Sequence, residues 1–424
     1  MNLQNKKIDV LAPVGSFESL AAAIQAGADA VYFGVEQLNM RAKASEQLSV
    51  EDIKEIAGRC KEHNIRSYLT LNSTVYDHDK NLYRDIIAKC VEGGVDAIIA
   101  TDIAVISECR RQGMSVHIST QTNVSNIDAV RFFAAYADLI VLSRELTLKQ
   151  VAEIIREIKE DDIRGPKGEL VKIEIFAHGA LCMAISGKCY LSLHSNNSSA
   201  NRGACIQNCR HQFTVSDKEN GQEMVVDNEF IMSAKDLCTI DILDKLSETG
   251  VDVIKIEGRG RSADYVYTTV KCYKDAVNAI SNGTYTPENI AVWKEKLSSV
   301  YNRGFWEGYY LGRKFGVWAD VGGSKATQKK VYVGKGLRYY PNIKVAEFRL
   351  ESGTLKVGDE VLLIGPLTGV VYQKVSAIHV DNTPAESVGK GKSFAIPFKK
   401  RIRPSDKLYK LIGTEYAQDY VLPE

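Results

Sequence analysis

The first 260 residues alternate between two patterns, and this alternation limits the possible folds more than any other feature of the chain. Short apolar runs are followed by longer segments whose apolar residues recur at helical spacing. Because the runs are apolar at nearly every position, they predict strands buried on both faces, in a parallel sheet covered by helices. The eight runs are IDVLAPV, DAVYFGV, RSYLTLNS, DAIIATD, SVHISTQ, DLIVLSREL, KIEIFAHG and VDVIKIEGR.

Eight strand–helix units predict an α/β fold, a (β/α)8 barrel of the TIM type. An open, doubly wound sheet is the alternative, but no glycine-rich phosphate-binding turn follows the first strand. At 424 residues the chain is too long for one ordinary core, so we expect further domains. We predict a catalytic barrel over residues 1–280, a helical linker over 281–328 and a C-terminal domain over 329–424.

The seventh unit departs from the regular alternation. More than seventy residues separate KIEIFAHG from VDVIKIEGR, and five of the nine cysteines fall within 57 of them. This cysteine-rich insertion, residues 181–240, begins at the carboxyl end of a strand, the end at which barrel enzymes form their active sites. Long loops inside compact domains are usually functional. We therefore predict the active site at this end of the barrel, beside the insertion.

Polar side chains follow most of the other predicted strands at the same end of the barrel. Each one taken alone is equally well explained as a solvated loop residue or a helix cap. An arginine and a lysine in such a pocket would suit a carboxylate or a phosphate of a small ligand. His178 is either an acid or base or a residue that packs beside the insertion. The residues are Asn72, Asp102, Gln121, Arg144, Glu145, His178, Lys255, Glu257 and Arg259.

The cysteines fall into two groups. Cys60, Cys90, Cys109 and Cys272 lie within helical patterns, where buried cysteine is common. The other five lie in polar loops, where burial does not explain them. The start of the chain lacks the apolar core of a signal peptide, so we expect a cytoplasmic protein whose thiols are reduced.

Clustered thiols in a reducing compartment point to a metal site, with zinc or an iron–sulfur cluster as the candidates. Spacings of seven, sixteen and thirty-three residues distribute Cys182, Cys189, Cys205 and Cys238 over separate loops, without the Cys-x2-Cys knuckles of structural zinc sites. This distribution favours a cluster and leaves zinc open. A catalytic pair of Cys182 and His178 is the rival interpretation, and it leaves the other thiols unexplained.

Several blocks of the sequence resemble peptidase family U32 and keep the order of that family along almost the whole chain. They are EIFAHGALCMAISGKCYLS (Glu174–Ser192), LAPVGSFESLAAAIQAGADAVYFG, SAKDLC, IKIEGRGRSADYV and VYNRGFWEGYY (Val300–Tyr310). Despite the family's label, its well-studied members are oxygen-independent or prephenate-dependent hydroxylases, which act on tRNA wobble uridine, on ribosomal RNA cytidine or on quinone precursors. This chain is most similar to the prephenate-dependent tRNA branch.

The resemblance implies a [4Fe–4S] cluster and, as a second cofactor, the dicarboxylate prephenate. Residue-by-residue matching assigns the cluster to Cys182, Cys189, Cys205 and Cys238, with Cys209 as an alternative fourth ligand. From their positions at the strand ends we predict His178, Lys255 and Glu257 as catalytic residues, with Arg259 and Lys255 as the first choices for holding prephenate. Residues predicted to bind the organic cofactor are Arg259, Arg144 and Gln121.

The pattern changes to short strands between glycine and aspartate turns from about residue 329 onward. This change predicts a small all-β barrel, which resembles the second domain of translation GTPases. From Lys325 onward the sequence has 17 Lys and Arg against 10 Asp and Glu, a net charge of +7, whereas the rest carries about −6. Such asymmetry predicts a polyanion-binding domain, and FKKRIRPSDK is its densest basic segment.

The resemblance implies a tRNA-modifying hydroxylase that forms 5-hydroxyuridine at the anticodon wobble position. The basic domain would hold tRNA, and no motif identifies the electron donor. Hydroxylation of ribosomal RNA cytidine or of a quinone precursor is the alternative. A peptidase is a further one, although neither a Ser-His-Asp order nor an HExxH helix is present. No run approaches the ~18 apolar residues of a membrane span, so we expect no membrane partner.

Overall fold

A computed structural model describes residues 7–40, 48–214, 230–312 and 317–416. Its N-terminal part is a closed barrel of eight parallel strands surrounded by helices, which confirms the predicted (β/α)8 fold. All eight predicted runs contain a barrel strand. The barrel strands are β1 (Asp9–Val14), β2 (Ala30–Phe33), β3 (Arg66–Leu71), β4 (Ala97–Ala100), β5 (Val116–Ile118), β6 (Leu139–Val141), β7 (Lys172–Gly179) and, beyond the insertion, β9 (Val253–Ile256).

The barrel closes because β9 pairs in parallel with both β1 and β7. Helix ends follow local sequence signals, as in the first helix, where Ser16 forms a capping box with Ser19 and Gly27 ends the helix with φ 80°. No helix in the described ranges is both long and apolar enough to cross a bilayer. The helices around the barrel are α1 (Phe17–Ala26), α2 (Ile53–Glu62), α3 (Lys80–Gly93), α4 (Ile103–Arg111), α5 (Ile127–Ala134), α6 (Leu148–Glu160), α8 (Leu243–Glu248) and α9 (Ala263–Asn282).

The described part of the insertion contains little regular structure. One short helix, α7 (Leu191–Asn196), follows the first cysteines, and a short strand, β8 (Asp236–Cys238), ends the insertion. β8 pairs antiparallel with the end of β7, where Cys238 lies opposite His178. The insertion is therefore attached to the barrel wall at both of its ends.

Among its described residues, the range predicted as a helical linker, residues 281–328, is helical only at the end of α9 and in α10 (Pro287–Ser299). After α10 the chain returns to the barrel as a two-residue strand, β10 (Phe305–Trp306), which pairs in parallel with β8. Trp306 and Tyr310 are buried in the main hydrophobic core. Much of this range thus packs as part of the barrel.

The C-terminal region is all β, as predicted, and its strands form antiparallel sheets around a second core centred on Phe348, Phe394 and Phe398. The order in the larger sheet is β15-β14-β20-β11-β12-β19-β16-β17, and β13 pairs with β18. The strands are β11 (Gln328–Tyr340), β12 (Val345–Leu350), β13 (Thr354–Lys356), β14 (Glu360–Gly365), β15 (Gly369–Lys374), β16 (Ile378–Val380), β17 (Thr383–Ala385), β18 (Ser387–Gly389), β19 (Ser393–Pro397) and β20 (Lys407–Gly413).

This C-terminal sheet packs against α1 and α9 of the barrel. The side-chain amide of Gln25 donates to the Val370 carbonyl oxygen at 2.7 Å and accepts from the Val370 amide at 2.9 Å. Lys330 Nζ donates to Ser262 Oγ at 2.6 Å, at the start of α9. Because α9 begins shortly after β9 ends, this contact ties β11 to the end of the barrel where the strands terminate.

Candidate active site

The carboxyl ends of the barrel strands surround a polar mouth, and two aromatic rings line it on the side of β2, β7 and β9. Lys255 Nζ lies 4.4 Å from the ring centroid of Tyr32 and 5.5 Å from that of Phe176. The Arg259 guanidinium lies 5.8 Å from the Tyr32 centroid, and the Arg144 guanidinium lies 4.4 Å from the Phe176 centroid. The two rings therefore bring three predicted site residues into one row of cations.

A buried ion pair holds Lys255 in this row. Its Nζ lies 2.8 Å from Glu174 Oε1, and the two side chains are only 6% and 0% exposed. The other carboxylate oxygen, Glu174 Oε2, has no hydrogen-bond partner among the described residues. The sequence analysis missed Glu174, although an acid within the otherwise apolar strand KIEIF was a signal, because a buried charge requires a partner.

Two further predicted residues, Glu257 and Arg259, follow β9 directly. Arg259 is buried, and its Nη1 donates to Asn39 Oδ1 at 3.0 Å and to Thr70 Oγ1 at 2.7 Å. The Tyr32 hydroxyl donates to Glu257 Oε2 at 3.1 Å. These bonds fix both side chains at the mouth through partners that the sequence analysis did not identify.

The opposite side of the mouth, at the ends of β3 and β5, is lined by amides. Gln121 Oε1 accepts from Asn72 Nδ2 at 2.8 Å and from the Ser119 hydroxyl. Asn123 Nδ2 donates to the Gln121 carbonyl oxygen at 2.8 Å, whereas Asn123 Oδ1 is buried without a hydrogen-bond partner among the described residues. This side therefore presents neutral donors and acceptors.

Two of the strand-end candidates have local roles. Asp102 caps α4 by accepting from the Ala104 amide, and its second oxygen accepts from the Val75 amide at 3.1 Å. Glu145 is exposed and accepts from the Ser143 hydroxyl at 2.5 Å. For Asp102 the structure therefore favours the helix-cap interpretation.

The first part of the insertion lies over the mouth. Arg144 Nη1 donates to the Ala180 carbonyl oxygen at 3.2 Å, and Asn123 Nδ2 donates to the Ser186 carbonyl oxygen at 3.2 Å. A Cβ atom at Gly187, where φ is 72°, would lie 2.9 Å from the Gln121 side chain. The loop after β7 therefore approaches the ends of β5 and β6 too closely for a larger residue at this position.

Three thiols of the insertion, Cys182, Cys189 and Cys205, lie within electrostatic range of the Cys209 thiol. Cys182 is exposed, Cys189, Cys205 and Cys209 are partly buried, and all four are free. Burial raises the pKa of the Cys209 thiol; Arg210 opposes this effect, and the other three thiols add to it. Within the described ranges no three His, Cys, Asp or Glu side chains form a metal-binding arrangement. In kind and number, however, this donor set fits a four-thiolate iron–sulfur cluster.

Cys238 has a different environment. It is buried at the end of β8, where its Sγ lies 3.9 Å from the Tyr273 hydroxyl. Burial raises the pKa of its thiol to about 11. Cys238 thus lies in the barrel wall, and the fourth ligand, Cys238 or Cys209, stays a prediction.

His178 is turned away from the row of cations by a bulge in β7. Phe176 pairs with Lys255, but His178 pairs with the next residue of β9, Ile256, so β7 has one extra residue at this point. An extra residue of this kind reverses the following side chain relative to the neighbouring strand. Burial lowers the pKa of His178 to about 3, which favours the packing interpretation of this residue. The rings around it belong to Tyr265, Tyr273 and Phe305, at centroid distances of 6.0, 5.5 and 5.6 Å.

Comparisons with known proteins identify the family. Peptidase family U32 matches residues 15–319. A collagenase of Porphyromonas gingivalis is 52% identical over 402 residues, which cover 95% of this chain and 97% of that protein. The tRNA hydroxylation protein P1 of Bacillus subtilis is 33% identical, over 85% of this chain and 84% of that protein. A 23S rRNA 5-hydroxycytidine synthase of Escherichia coli is 31% identical, over 66% of this chain and 41% of that protein. The chain therefore belongs to peptidase family U32.

Proposed function

We propose that this protein is an RNA-modifying hydroxylase, and that its substrate is the wobble uridine of tRNA, which it converts to 5-hydroxyuridine. The observation that carries the proposal is the first part of the insertion, up to Thr214, which lies over the barrel mouth. From Leu181 to Thr214 it contains no Asp or Glu, whereas Lys188 and Arg210 are cationic and Arg202 pairs with Asp79 of the barrel. A thiol-bearing cover with this charge suits an anionic substrate.

The exposed apolar side chains of the insertion support an unpaired nucleobase as the substrate. Tyr190 is 68% exposed, Ile185 53% and Met183 46%. Stacking of a base on an aromatic side chain contributes roughly 1–3 kcal/mol, and the bases of an RNA loop are already accessible for it. A loop of tRNA therefore requires less unstacking than a base inside a duplex.

The two sides of the mouth suit two different ligands. The amides of Asn72, Gln121 and Asn123 match the hydrogen-bonding edge of a base. The cations of Arg144, Lys255 and Arg259 match a dicarboxylate such as prephenate, and the Arg144 Nε atom is buried without a hydrogen-bond partner among the described residues. The site would thus hold the base opposite the carboxylates, with the insertion excluding water above both.

For the cofactor we propose a [4Fe–4S] cluster held by Cys182, Cys189, Cys205 and Cys209. Such a cluster supplies one-electron chemistry when it is bound. Arg210 would offset part of the thiolate charge, because it is adjacent in sequence to Cys209. Its guanidinium is fixed by donation to the Leu181 carbonyl oxygen at 2.6 Å and to the Ala234 carbonyl oxygen at 2.8 Å.

Iron and sulfide analysis after anaerobic purification tests this ligand set. We expect about four irons per chain in the wild type, and loss of the cluster in Cys182→Ala and Cys209→Ala. Cys238→Ala should retain it, because this thiol lies in the barrel wall. Loss of iron in Cys238→Ala but not in Cys209→Ala would show that Cys238 is the fourth ligand of the cluster. Zinc in place of iron would contradict the cluster.

Nucleoside analysis of tRNA tests the function. Cells that lack the gene should lose 5-hydroxyuridine and its derivatives, and the wild-type gene should restore them, whereas the Arg144→Ala and Lys255→Ala forms should not. Loss of a hydroxylated cytidine from ribosomal RNA instead would favour that substrate. Unchanged RNA nucleosides together with an altered quinone profile would favour the quinone-precursor alternative.

Peptide hydrolysis is the second candidate, because a relative at 52% identity bears the name collagenase. A thiol peptidase would require a base beside Cys182, but His178 packs among aromatic rings and its pKa is lowered to about 3. We therefore expect no gelatin hydrolysis by the purified protein. Hydrolysis that is lost in Cys182→Ala would reverse this conclusion.

A further inference from the structure

We infer that the C-terminal sheet carries a separate binding face for the RNA backbone, at the tip of the β11–β12 hairpin. This inference rests on the proposed function for the identity of the polyanion. The face, here called the hairpin-tip patch, comprises Arg338, Tyr340, Lys344, Lys399, Lys400 and Arg401, all of which are exposed.

Backbone contacts hold the two parts of the patch together. The Phe398 amide donates to the Lys344 carbonyl oxygen at 2.8 Å, and the Tyr339 hydroxyl donates to the Phe398 carbonyl oxygen at 3.1 Å. Farther along β11 the Gly336 amide donates to the Asp406 carbonyl oxygen at 2.8 Å. A Cβ atom at Gly336 would lie 2.8 Å from the Arg403 carbonyl oxygen, so glycine permits this close approach. The loop after β19 is therefore fixed along the hairpin.

The cations of the patch are not neutralised by neighbouring acids. Among the described residues none of its five Lys and Arg side chains has a carboxylate within 4.0 Å. Elsewhere in the same sheet lysines are paired, as in Lys335 with Glu351 at 2.8 Å and Lys410 with Asp359 at 2.7 Å. Glu347 lies opposite Arg338 in the ladder and accepts instead from the Tyr340 hydroxyl at 3.1 Å.

Positive charges also lie close together in the loop after β19. Burial lowers the pKa of Lys400, and the nearby Arg403 guanidinium lowers it further. Repulsion between unpaired cations destabilises the isolated protein, and a bound polyanion removes this repulsion. Such a cluster is typical of a surface that binds phosphates through counterion release.

An exposed ring within the patch favours a nucleic acid over other polyanions. Tyr340 is 37% exposed, and the Arg338 guanidinium lies 5.7 Å from its centroid. A ring and a guanidinium together can stack on a base while nearby lysines contact phosphates. Ile343, at 68% exposure, is the one large apolar side chain in the four-residue turn between β11 and β12, so the tip offers a membrane little apolar surface.

The patch lies close enough to the mouth for one folded RNA to contact both. Lys330, near the start of β11, is bound to the beginning of α9 beside the mouth, and Tyr340 ends the strand. At ~3.3 Å per residue the ten steps between them span at most roughly 33 Å. A tRNA stem-loop is long enough to cover this distance, whereas a single nucleoside is not expected to contact the patch and the mouth together.

The test is fluorescence anisotropy of the full-length protein with unmodified tRNA at several salt concentrations. The variant Lys399→Ala/Lys400→Ala/Arg401→Ala removes three cations of the patch. Its matched control, Lys356→Ala/Lys390→Ala/Lys392→Ala, removes three exposed cations from β13 and the β18–β19 turn, which contacts the other end of β12 at Leu350. Thermal unfolding of each variant establishes that it is folded.

We expect the patch variant to bind tRNA roughly tenfold or more weakly, with the slope of log affinity against log salt reduced by about 2 to 3. The control should remain within about twofold of the wild type, and Lys399→Arg/Lys400→Arg should bind normally. Equal binding by the patch and control variants overturns the proposal. So does a defect confined to phosphatidylserine vesicles, which would identify a membrane face. Patch-dependent tRNA binding by a protein that leaves tRNA nucleosides unchanged would uphold the patch and refute hydroxylation of tRNA.

Discussion

Lys255 is the residue on which the arrangement of the mouth depends most. Its ammonium group lies against two ring faces and one buried carboxylate, all within the barrel. Removing one member of a buried ion pair leaves an uncompensated charge, which costs more than the pair itself contributes. The pair with Glu174 is therefore expected to stabilise the fold as well as to position Lys255.

Replacement of Glu174 by glutamine should lower the free energy of unfolding by about 3–5 kcal/mol, because Lys255 remains buried without its carboxylate. The double variant Glu174→Gln/Lys255→Met should recover part of this loss. Urea denaturation measures both. The surface pair of Lys271, which is exposed, and Asp275, which is half-buried, provides the control, since Asp275→Asn should change stability by less than about 1 kcal/mol. A Glu174→Gln variant as stable as the wild type would show that the ion pair is unimportant.

His117, inside the barrel beside Tyr68, should make stability fall in mild acid. Burial lowers its folded-state pKa from 6.5 to about 3, with Lys255 as a further cause. Below pH 6.5 the unfolded chain therefore binds a proton that the folded chain does not, and stability is lost as pH falls from 6.5 towards 3. Between pH 7 and pH 5.5 the free energy of unfolding falls by about 1 kcal/mol for each such histidine. His178, whose pKa is also lowered to about 3, contributes a second loss of this kind.

His117→Gln should therefore lose about 1 kcal/mol less than the wild type between pH 7 and pH 5.5. Urea titrations at the two pH values measure the difference. His63→Gln, at an exposed position, should behave like the wild type. An identical pH dependence in His117→Gln and the wild type would mean that His117 is protonated in the fold.

At the scale of single residues, the sequence was enough to identify the cations of the mouth but not the residues that hold them in place. Arg144 and Arg259 follow strands and Lys255 lies near the end of β9, and these positions are a local signal. The partners of Arg259 are Asn39 and Thr70, which lie 220 and 189 positions away in the chain. No local pattern predicts such contacts, because they form only when distant strands become neighbours in the closed barrel.

At the scale of elements, the end of β7 explains the orientation of the His178 side chain. Simple alternation from Glu174 and Phe176, both of which contact Lys255, would direct His178 to the same face. The extra residue before His178 reverses that direction. A bulge without a glycine or a proline at that position has no sequence signature, so the strand was predictable and the orientation of its last side chain was not.

Arg210 connects separate parts of the insertion, in a segment with little regular structure. Besides the Leu181 and Ala234 carbonyl oxygens, its guanidinium donates to Ser233 Oγ at 3.0 Å. Arg210→Ala should remove all these bonds and weaken local closure by about 1–3 kcal/mol. Hydrogen exchange should then become roughly 5- to 100-fold faster over residues 181–190, since 1.4 kcal/mol corresponds to a factor of ten.

Mass spectrometry of exchanged peptides measures this effect. The control is Arg156→Ala on α6, where the arginine is exposed and pairs with Glu160. It should leave exchange in the insertion unchanged. Wild-type protection of residues 181–190 in Arg210→Ala would mean that other contacts, such as the one between Arg144 and Ala180, hold the loop over the mouth.

At the scale of the whole molecule, the sequence predicted the order of the barrel and the all-β region. It did not predict how they meet. Gln25 and Val370 are 345 positions apart, and Gly369 beside them, with φ 73°, leaves no room for a side chain because its Cβ would lie 2.4 Å from Gln25 Oε1. Leu362, Ile364 and Val370 of the sheet belong to the same core as the barrel. An interface of this kind has no characteristic amino-acid composition, because each of its two halves is an ordinary amphipathic element. The sequence therefore does not reveal that the two halves pack together.

This shared core predicts that the barrel and the C-terminal sheet unfold together. Calorimetry should show one transition, and Gln25→Ala should lower stability by about 1–3 kcal/mol, because it leaves the amide and the carbonyl group of Val370 without partners. Two separated transitions would mean that the regions are independent. If they unfold together, deletion of the chain after residue 327 would expose α1 and destabilise the barrel. Loss of RNA modification in that deletion would then report unfolding rather than loss of an RNA contact. The role of the basic sheet is therefore better tested by substitutions in the hairpin-tip patch, which leave the shared core intact.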